Sequence, residues 1–199
     1  VVVTYRTSRV QAEALASEIG GRAAQIDVSD RGDVTRLFGS IADDEGRLDL
    51  LVNNVGVYRP KPLSELTPDE WDQHLRPNLD GAFYCCHAAR PLMDGGLIVN
   101  IGYAGVDALQ ANVEATAYQV SKTGLLVLTK SLAAGWAPIR ANMLSPGQLA
   151  NSVDLPEDLT VIPAGRAGTL DDMLQALRFL IAADYVTGQN IDVAGGYRL

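Results

Sequence analysis

A single α/β domain, with a parallel sheet wound by helices on both faces, is the architecture this sequence predicts. Two observations carry the prediction. Short β-branched or apolar runs alternate with stretches whose apolar residues recur at helical spacing, the pattern of a parallel sheet with crossover helices. Polar and glycine-bearing turns, Asn53-Asn54-Val55-Gly56 above all, fall where those runs end, and sheets of this class bind ligands beyond the carboxyl ends of their strands. The length of 199 residues is enough for one domain with a full core.

The elements follow in order. Val1-Val2-Val3-Thr4-Tyr5 reads as a buried strand. Ser8 can cap a helix from Arg9 to Ile19 that Gly20 stops. Ala23–Val28 is a second strand, and Ser29 or Asp30 opens a helix carrying Val34, Leu37, Phe38 and Ile41. Leu48–Val52 is apolar enough to be covered on both faces. Thr67-Pro68-Asp69-Glu70 combines a capping hydroxyl, a first-turn proline and a capping-box glutamate, so a helix starts there and runs to about Met93. Pro77 lies inside it and predicts a kink that frees a carbonyl. Asn78, beside that break, can hold a water or a backbone group, or mark a packing defect. Leu97–Ile101 is a strand, and a loop of about a dozen residues leads to a long helix through Tyr118. Ile139–Leu144 is the next strand, turning at Ser145-Pro146-Gly147. Thr169 caps a helix to about Ala182, and Asn190–Val193 closes a tally of six strands and about five helices.

Composition narrows the function. A net charge of −8 argues against nonspecific nucleic-acid binding. No apolar run approaches a membrane span and no secretory leader is visible, so no membrane partner is expected. Cys85 and Cys86 are adjacent and alone, which suits neither a disulfide nor a zinc site. His74 and His87 lack metal-ligand spacing, so no metal is expected, and the setting reads as a reducing cytoplasm. No Gly-x-Ser-x-Gly turn supports an acyl-transfer hydrolase.

Tyr118-Gln119-Val120-Ser121-Lys122 is the stretch with chemistry in it. A tyrosine and a lysine four apart share a helix face, which can set a phenol beside an ammonium. A free phenol titrates near about 10; a neighbouring cation favours the phenolate and brings the group toward acid–base work at neutrality. The pair alone is also what a surface lysine near a packed tyrosine looks like.

Taken together, Asn53-Asn54-Val55-Gly56, Asn78, Ile98-Val99-Asn100-Ile101, Tyr118-x-x-x-Lys122, Ile139-Arg140-Ala141-Asn142, Pro146-Gly147 and Val186-Thr187-Gly188-Gln189 resemble, in that order, the short-chain dehydrogenase/reductase family. The resemblance covers essentially the whole chain. It implies a Rossmann-like fold and hydride transfer between NAD(P)(H) and a small-molecule carbonyl or alcohol. It makes Tyr118 the proton donor or acceptor, Lys122 its modulator and a nicotinamide-ribose ligand, and Asn78 the holder of a water linking Lys122 to solvent. Asn54, Val55 and Gly56 would line the cofactor, Asp27 and Val28 would frame its adenine, and Pro146 and Gly147 would lie near the nicotinamide. NAD-binding members carry an acid at the end of the strand that reads here Tyr5-Arg6-Thr7-Ser8. A guanidinium and two hydroxyls suit a 2′-phosphate instead, so NADP(H) is the expected cofactor, NAD(H) stays open, and the other reading has Arg6 merely covering the adenine. The resemblance also implies a homodimer or homotetramer through the 68–93 helix, the Tyr118 helix and the C-terminal strand.

Two departures from the family pattern bear on function. The family's opening strand and Gly-rich pyrophosphate turn do not occur; Val1 corresponds to its second strand, and about thirty residues that include the central strand of the sheet have no counterpart. Their loss would leave apolar neighbours and backbone groups unpaired, which makes an earlier start of the native chain the expectation. The family serine that bonds the substrate oxygen is also missing: Gly105 holds its place, and no Ser occurs from Leu97 to Val120. Tyr103 stands there if the following loop is two residues longer, either as a phenolic replacement or packed against the loop. A shorter connection at Trp136-Ala137-Pro138-Ile139-Arg140 is a third oddity. Two functions remain in view: an NADP-dependent carbonyl reductase of 3-oxoacyl-carrier-protein-reductase or pteridine-reductase type, and a non-catalytic relative that uses the fold for binding or regulation. Gln110, Asn112, Gln148 and Leu149 would border the substrate pocket.

Overall fold

The computed structural model describes residues 1–197. Its strands are β1 (Val2–Tyr5), β2 (Arg22–Gln25), β3 (Leu50–Asn53), β4 (Leu97–Ile101), β5 (Arg140–Pro146) and β6 (Asn190–Val193). The α-helices are α1 (Arg9–Glu18), α2 (Arg31–Asp44), α3 (Pro68–Leu75), α4 (Gly81–Ala89), α5 (Thr116–Gly135) and α6 (Leu170–Ala182). All pairings are parallel, in two groups: β1 with β2, and β3-β4-β5-β6. The result is a Rossmann-like α/β fold in one domain.

β4 and β5 form its centre. On β4, Ile98 turns to a core shared with α2, α4 and α5, while Leu97 and Val99 turn to a second core under α6. This two-sided burial follows from the alternation of side chains along a strand covered on both faces. Polar residues on these strands are spent internally. Asn100 accepts from Asn53 Nδ2 at 2.8 Å and donates to Thr129 Oγ1 at 2.8 Å, and Asn142 bonds Val186 O and Gln189 N.

The other side of the sheet is open. Among the described residues β1 pairs only with β2, and β3 only with β4. The two edges border a cavity of about 830 Å³ lined by Val1–Thr4, Ile26, Val28 and Leu50–Val55. Val52 remains 39% exposed there, so the expectation that the third strand is covered on both faces is corrected. The residues are apolar enough, but no neighbouring strand covers them.

Local signals held well where capping decides. Thr67 and Thr169 both close capping boxes, with Glu70 and Asp172. Ser8 is the N-cap residue of α1 but makes no side-chain cap bond. The single helix expected from Pro68 to Met93 is divided. At Pro77, which has no N–H to donate, the chain widens into a turn over Arg76–Asp80, and Gly81 N–H reaches back to Arg76 O. Gly81 is required there, because a Cβ would come within 2.7 Å of Val28 Cγ2. The short connection at Trp136 is a tight turn, with Ile139 N–H donating to Trp136 O and a cis Ala137–Pro138 peptide. No helix among the described residues is long and apolar enough to cross a membrane.

Candidate active site

The carboxyl ends of β3, β4 and β5 converge on the first turns of α5. Tyr118 sits in the first turn of α5, and Lys122 lies one turn on, 2% exposed. Its Nζ is 6.0 Å from the Tyr118 ring centroid and donates to Ile101 O at 2.7 Å. The expected phenol–ammonium pair is therefore a neighbourhood, and the amine's hydrogen bond goes to the end of β4. Burial pulls the Lys122 pKa down to about 8. Gly56 makes this approach feasible, since a Cβ there would come within 3.2 Å of Lys122 Nζ.

Asn78 is wholly buried in the widened turn. Its Oδ1 accepts from Val57 N–H at 2.6 Å, and its Nδ2 donates to Val57 O at 2.9 Å and Ser121 Oγ at 3.1 Å. The amide thus holds a backbone group, as one of its expected options had it. Ser121 in turn donates to Tyr118 O at 2.7 Å. The Asn54–Val57 turn, the Pro77 break and the start of α5 are thus tied by one amide. His74 extends the clamp: its Nδ1 bonds Glu70 O, and its Nε2 accepts from Arg59 N–H at 3.3 Å.

A cavity of about 310 Å³ opens beside Tyr118, lined by Tyr58, Tyr103, Asn112, Pro146, Gly147, Gln148 and Leu149 among others. Tyr103 lies against Tyr118, ring centroids 5.7 Å apart, in the neighbourhood where the serine replacement was expected. Gln110 is not part of this wall; its carbonyl accepts from Gln119 Nε2.

The remaining expected cofactor residues lie elsewhere along the strand ends. Arg6, Thr7 and Ser8 are exposed. Arg6 opens with Ser29, Val57, Arg59 and Arg76 on a second cavity of about 430 Å³. Asp27 holds Ser29 N–H at 2.9 Å and stands 4.0 Å from Arg6. Val28, Asn54 and Val55 line the open seam.

Two features were not singled out from sequence. Tyr58 packs edge-on to Tyr118, centroids 4.9 Å apart at 74°, and its hydroxyl donates to Asp154 Oδ2 at 3.3 Å. An aromatic two residues past Gly56, at a strand's carboxyl end, was the available signal. Ser121 was read only as part of the motif, although a serine facing the Asn78 break is its natural partner.

A parallel sheet wound by helices, with Tyr118, Lys122 and Asn78 gathered at its carboxyl edge, is a Rossmann-like arrangement of the class that binds ligands beyond its strand ends. The chain belongs to the short-chain dehydrogenase/reductase family: residues 1–198 match a family model described as enoyl-(acyl carrier protein) reductase. It is 34% identical to a 3-oxoacyl-[acyl-carrier-protein] reductase, FabG, of Staphylococcus aureus, with 98% of this chain and 87% of that protein aligned. It is 35% identical to a D-threitol dehydrogenase of Mycolicibacterium smegmatis, over 94% of this chain and 79% of the relative. The crystal structure of a gluconate 5-dehydrogenase from Burkholderia cenocepacia, in complex with NADP and tartrate, superposes with a TM-score of 0.87 at 32% identity, covering 98% of this chain and 84% of that one.

Proposed function

We propose that this protein is an NADP(H)-dependent oxidoreductase that interconverts a carbonyl and an alcohol, with Tyr118 as the acid–base group. The observation that carries the reading is the convergence of Tyr118, the buried Lys122 and the Asn78 clamp beside one cavity at the sheet's carboxyl edge.

The residues fit two ends of a dinucleotide. Gly56, whose missing side chain keeps the floor beside Lys122 open, with Pro146 and Gly147, suits the nicotinamide and its ribose. Arg6, in a cavity lined by Arg59 and Arg76 together with Asp69 and Asp72, is the residue proposed to meet a 2′-phosphate, because guanidinium forks match phosphate oxygens. Asp27 and Val28 are kept as the adenine frame. No Gly-rich turn at a helix N-terminus cradles the pyrophosphate among the described residues. The NADP complex of the gluconate 5-dehydrogenase supports the same cofactor choice.

When bound, the nicotinamide supplies or accepts the hydride. The Tyr118 hydroxyl gives its proton to the substrate oxygen in reduction and withdraws it in oxidation. Lys122, titrating near pH 8, sits where it can return a proton to the phenol's surroundings. Asn78 holds the Val57 backbone and Ser121, and so fixes both the floor and the Tyr118 turn. Tyr103, whose ring centroid lies 5.7 Å from that of Tyr118 on the same cavity, takes the role of the absent serine in this reading. The finer substrate assignment stays among 3-oxoacyl thioesters, pterins and polyols, the last suggested by the D-threitol relative.

The setting proposed is cytoplasmic, which suits two buried unpaired thiols, Cys85 and Cys86, that burial pushes up to about 11 and about 12. Exposed Phe83 on α4 and Val127 on α5 support a homodimer or homotetramer through those helices.

Tyr118→Phe tests the reading. Turnover of NADPH with a carbonyl substrate should fall by about 10³-fold with NADPH affinity unchanged. A second reading, a relative that only binds, is favoured by Gly105 standing in the place of the family serine; it predicts no turnover in the parent protein and indifference to Tyr118→Phe.

A further inference from the structure

We propose that Tyr58 positions the Tyr118 phenol, and that His74 holds Tyr58 where it can do so. Both act through Tyr118 rather than on the substrate, and the proposal rests on the oxidoreductase reading above.

Every second residue from Val57 to Leu63 is tied down through its main chain. Asn78 takes both polar groups of Val57, at 2.6 Å and 2.9 Å. His74 Nε2 accepts from Arg59 N–H at 3.3 Å. Lys61 N–H donates to Glu114 O at 2.6 Å, and Leu63 N–H to Val113 O at 2.8 Å. Pro60, between two of these ties, has no N–H to satisfy. The anchors come from α3, from the turn at Pro77 and from the chain leading into α5, so this segment and the Tyr118 turn share one frame. Tyr58 falls between the first two ties.

Burial does not hold the Tyr58 ring, which is 37% exposed. Directional contacts do. Its chain neighbours are pinned on both sides, and its hydroxyl donates at 3.3 Å to Asp154 Oδ2, on the same cavity. The ring so held meets Tyr118 edge-on, with 4.9 Å between centroids at 74°, a geometry aromatic pairs prefer.

Tyr118 gains from such a neighbour. It lies in the first turn of α5, whose N-cap residue, Ala115, makes no side-chain cap bond. A phenol oxygen stands at the far end of its ring. A small tilt of the ring therefore carries it beyond the roughly 3 Å over which a proton passes to a substrate oxygen. Misplacement on the scale of about 1 Å can cost about 100-fold in rate.

His74 suits its task through its two nitrogens. Glu70 O can only accept, so Nδ1 carries the hydrogen and Nε2 is left to accept from Arg59. The ring is buried, and an apolar side chain in its place would accept nothing from the Arg59 N–H. The two amide side chains divide these bonds. Asn places its amide where Nδ1 stands and falls short of Arg59, whereas Gln reaches the place of Nε2 with an acceptor.

NADPH oxidation with two probe ketones, acetoacetyl-N-acetylcysteamine and diacetyl, tests the assignment. Tyr58→Leu, at an exposed position that folding tolerates, should lower kcat by about 10- to 100-fold and leave KM within about threefold. Adding Tyr58→Leu to Tyr118→Phe should cost nothing further, because the group it positions is gone. His74→Asn should lose kcat as Tyr58→Leu does, and His74→Gln should stay within about threefold of the parent. Near-ultraviolet circular dichroism reads the positioning without turnover. The signal from Tyr118, taken as parent minus Tyr118→Phe, should fall by about half or more in Tyr58→Leu and His74→Asn and persist in His74→Gln. A rise in KM with kcat kept would make Tyr58 a wall of the cavity only. That result, an undiminished loss when Tyr58→Leu is added to Tyr118→Phe, or equal behaviour of His74→Asn and His74→Gln overturns this inference and leaves the oxidoreductase standing. A parent protein that reduces neither ketone overturns both.

Discussion

The β4–β5 centre and the β1/β3 seam are made of the same kind of residues and meet opposite fates. Leu97-Ile98-Val99 on β4 is 3% exposed or less, whereas Val2 and Val3 on β1 are half-buried and Val52 on β3 is 39% exposed. Strand composition therefore does not decide burial; strand neighbours do. β4 has a strand on each side and a helix layer on each face, while β1 and β3 each present one edge to a cavity of about 830 Å³. The chemistry divides the same way. Tyr118, Lys122 and Asn78 belong to the closed half, where Lys122 and Asn78 are buried on defined hydrogen-bond partners, and Arg6 and Asp27 belong to the open one, where water competes for both charges.

The sharpest way to break that comparison is to cut equivalent side chains on the two sides. Ile98→Ala opens a cavity in a fully closed core and should destabilise by about 3–4 kcal/mol. Val52→Ala, half in water already, should cost under about 1 kcal/mol. Urea midpoints of the two variants measure this. Equal losses would mean the seam closes in solution.

Lys122 sharpens the comparison by pH. The folded amine titrates at about 8 and an unfolded lysine near about 10.4. Between those values the unfolded chain holds a proton that the folded chain has released, so this group makes stability rise with pH across that window. Below about pH 8 both states are protonated and its contribution is flat. The rise should approach about 2–3 kcal/mol and vanish in Lys122→Met, read as the difference between the two proteins' stabilities at pH 7.5 and 10. A parent–variant difference that does not change with pH would mean Lys122 is solvated.

Why these regions were unequally legible in the sequence follows from the same contrast. The α3 and α6 starts were readable because a capping box is a four-residue event, and β6 because its turn and apolar alternation are local. The Tyr118 helix and its motif neighbours were readable because their order along the chain is itself the signal. Val52 misled because its covering depends on a strand, not on the residue. Lys122 was legible in part: helical spacing puts it near Tyr118, as found, but its hydrogen bond to Ile101 O, a partner 21 residues away, is supplied only by the folded sheet. Tyr58 escaped notice because its approach to Tyr118 depends on the Asn78 clamp at Val57, one residue earlier.

The smallest effect lies in the open half and decides the cofactor. Arg6 is 60% exposed and 4.0 Å from Asp27, a solvated pair that contributes little to stability, so removing it should leave the fold unchanged. A guanidinium that forks onto a 2′-phosphate contributes through a charge-assisted bond, and its loss should weaken NADPH binding by about tenfold. NADH, which lacks that phosphate, should bind the Arg6→Ala variant as it binds the parent. Fluorescence titration of both cofactors against both proteins measures this, and raised salt should weaken the NADPH difference because the contact is exposed. Equal weakening of NADPH and NADH would instead place the Arg6 side chain over the adenine, with no role in reading the phosphate.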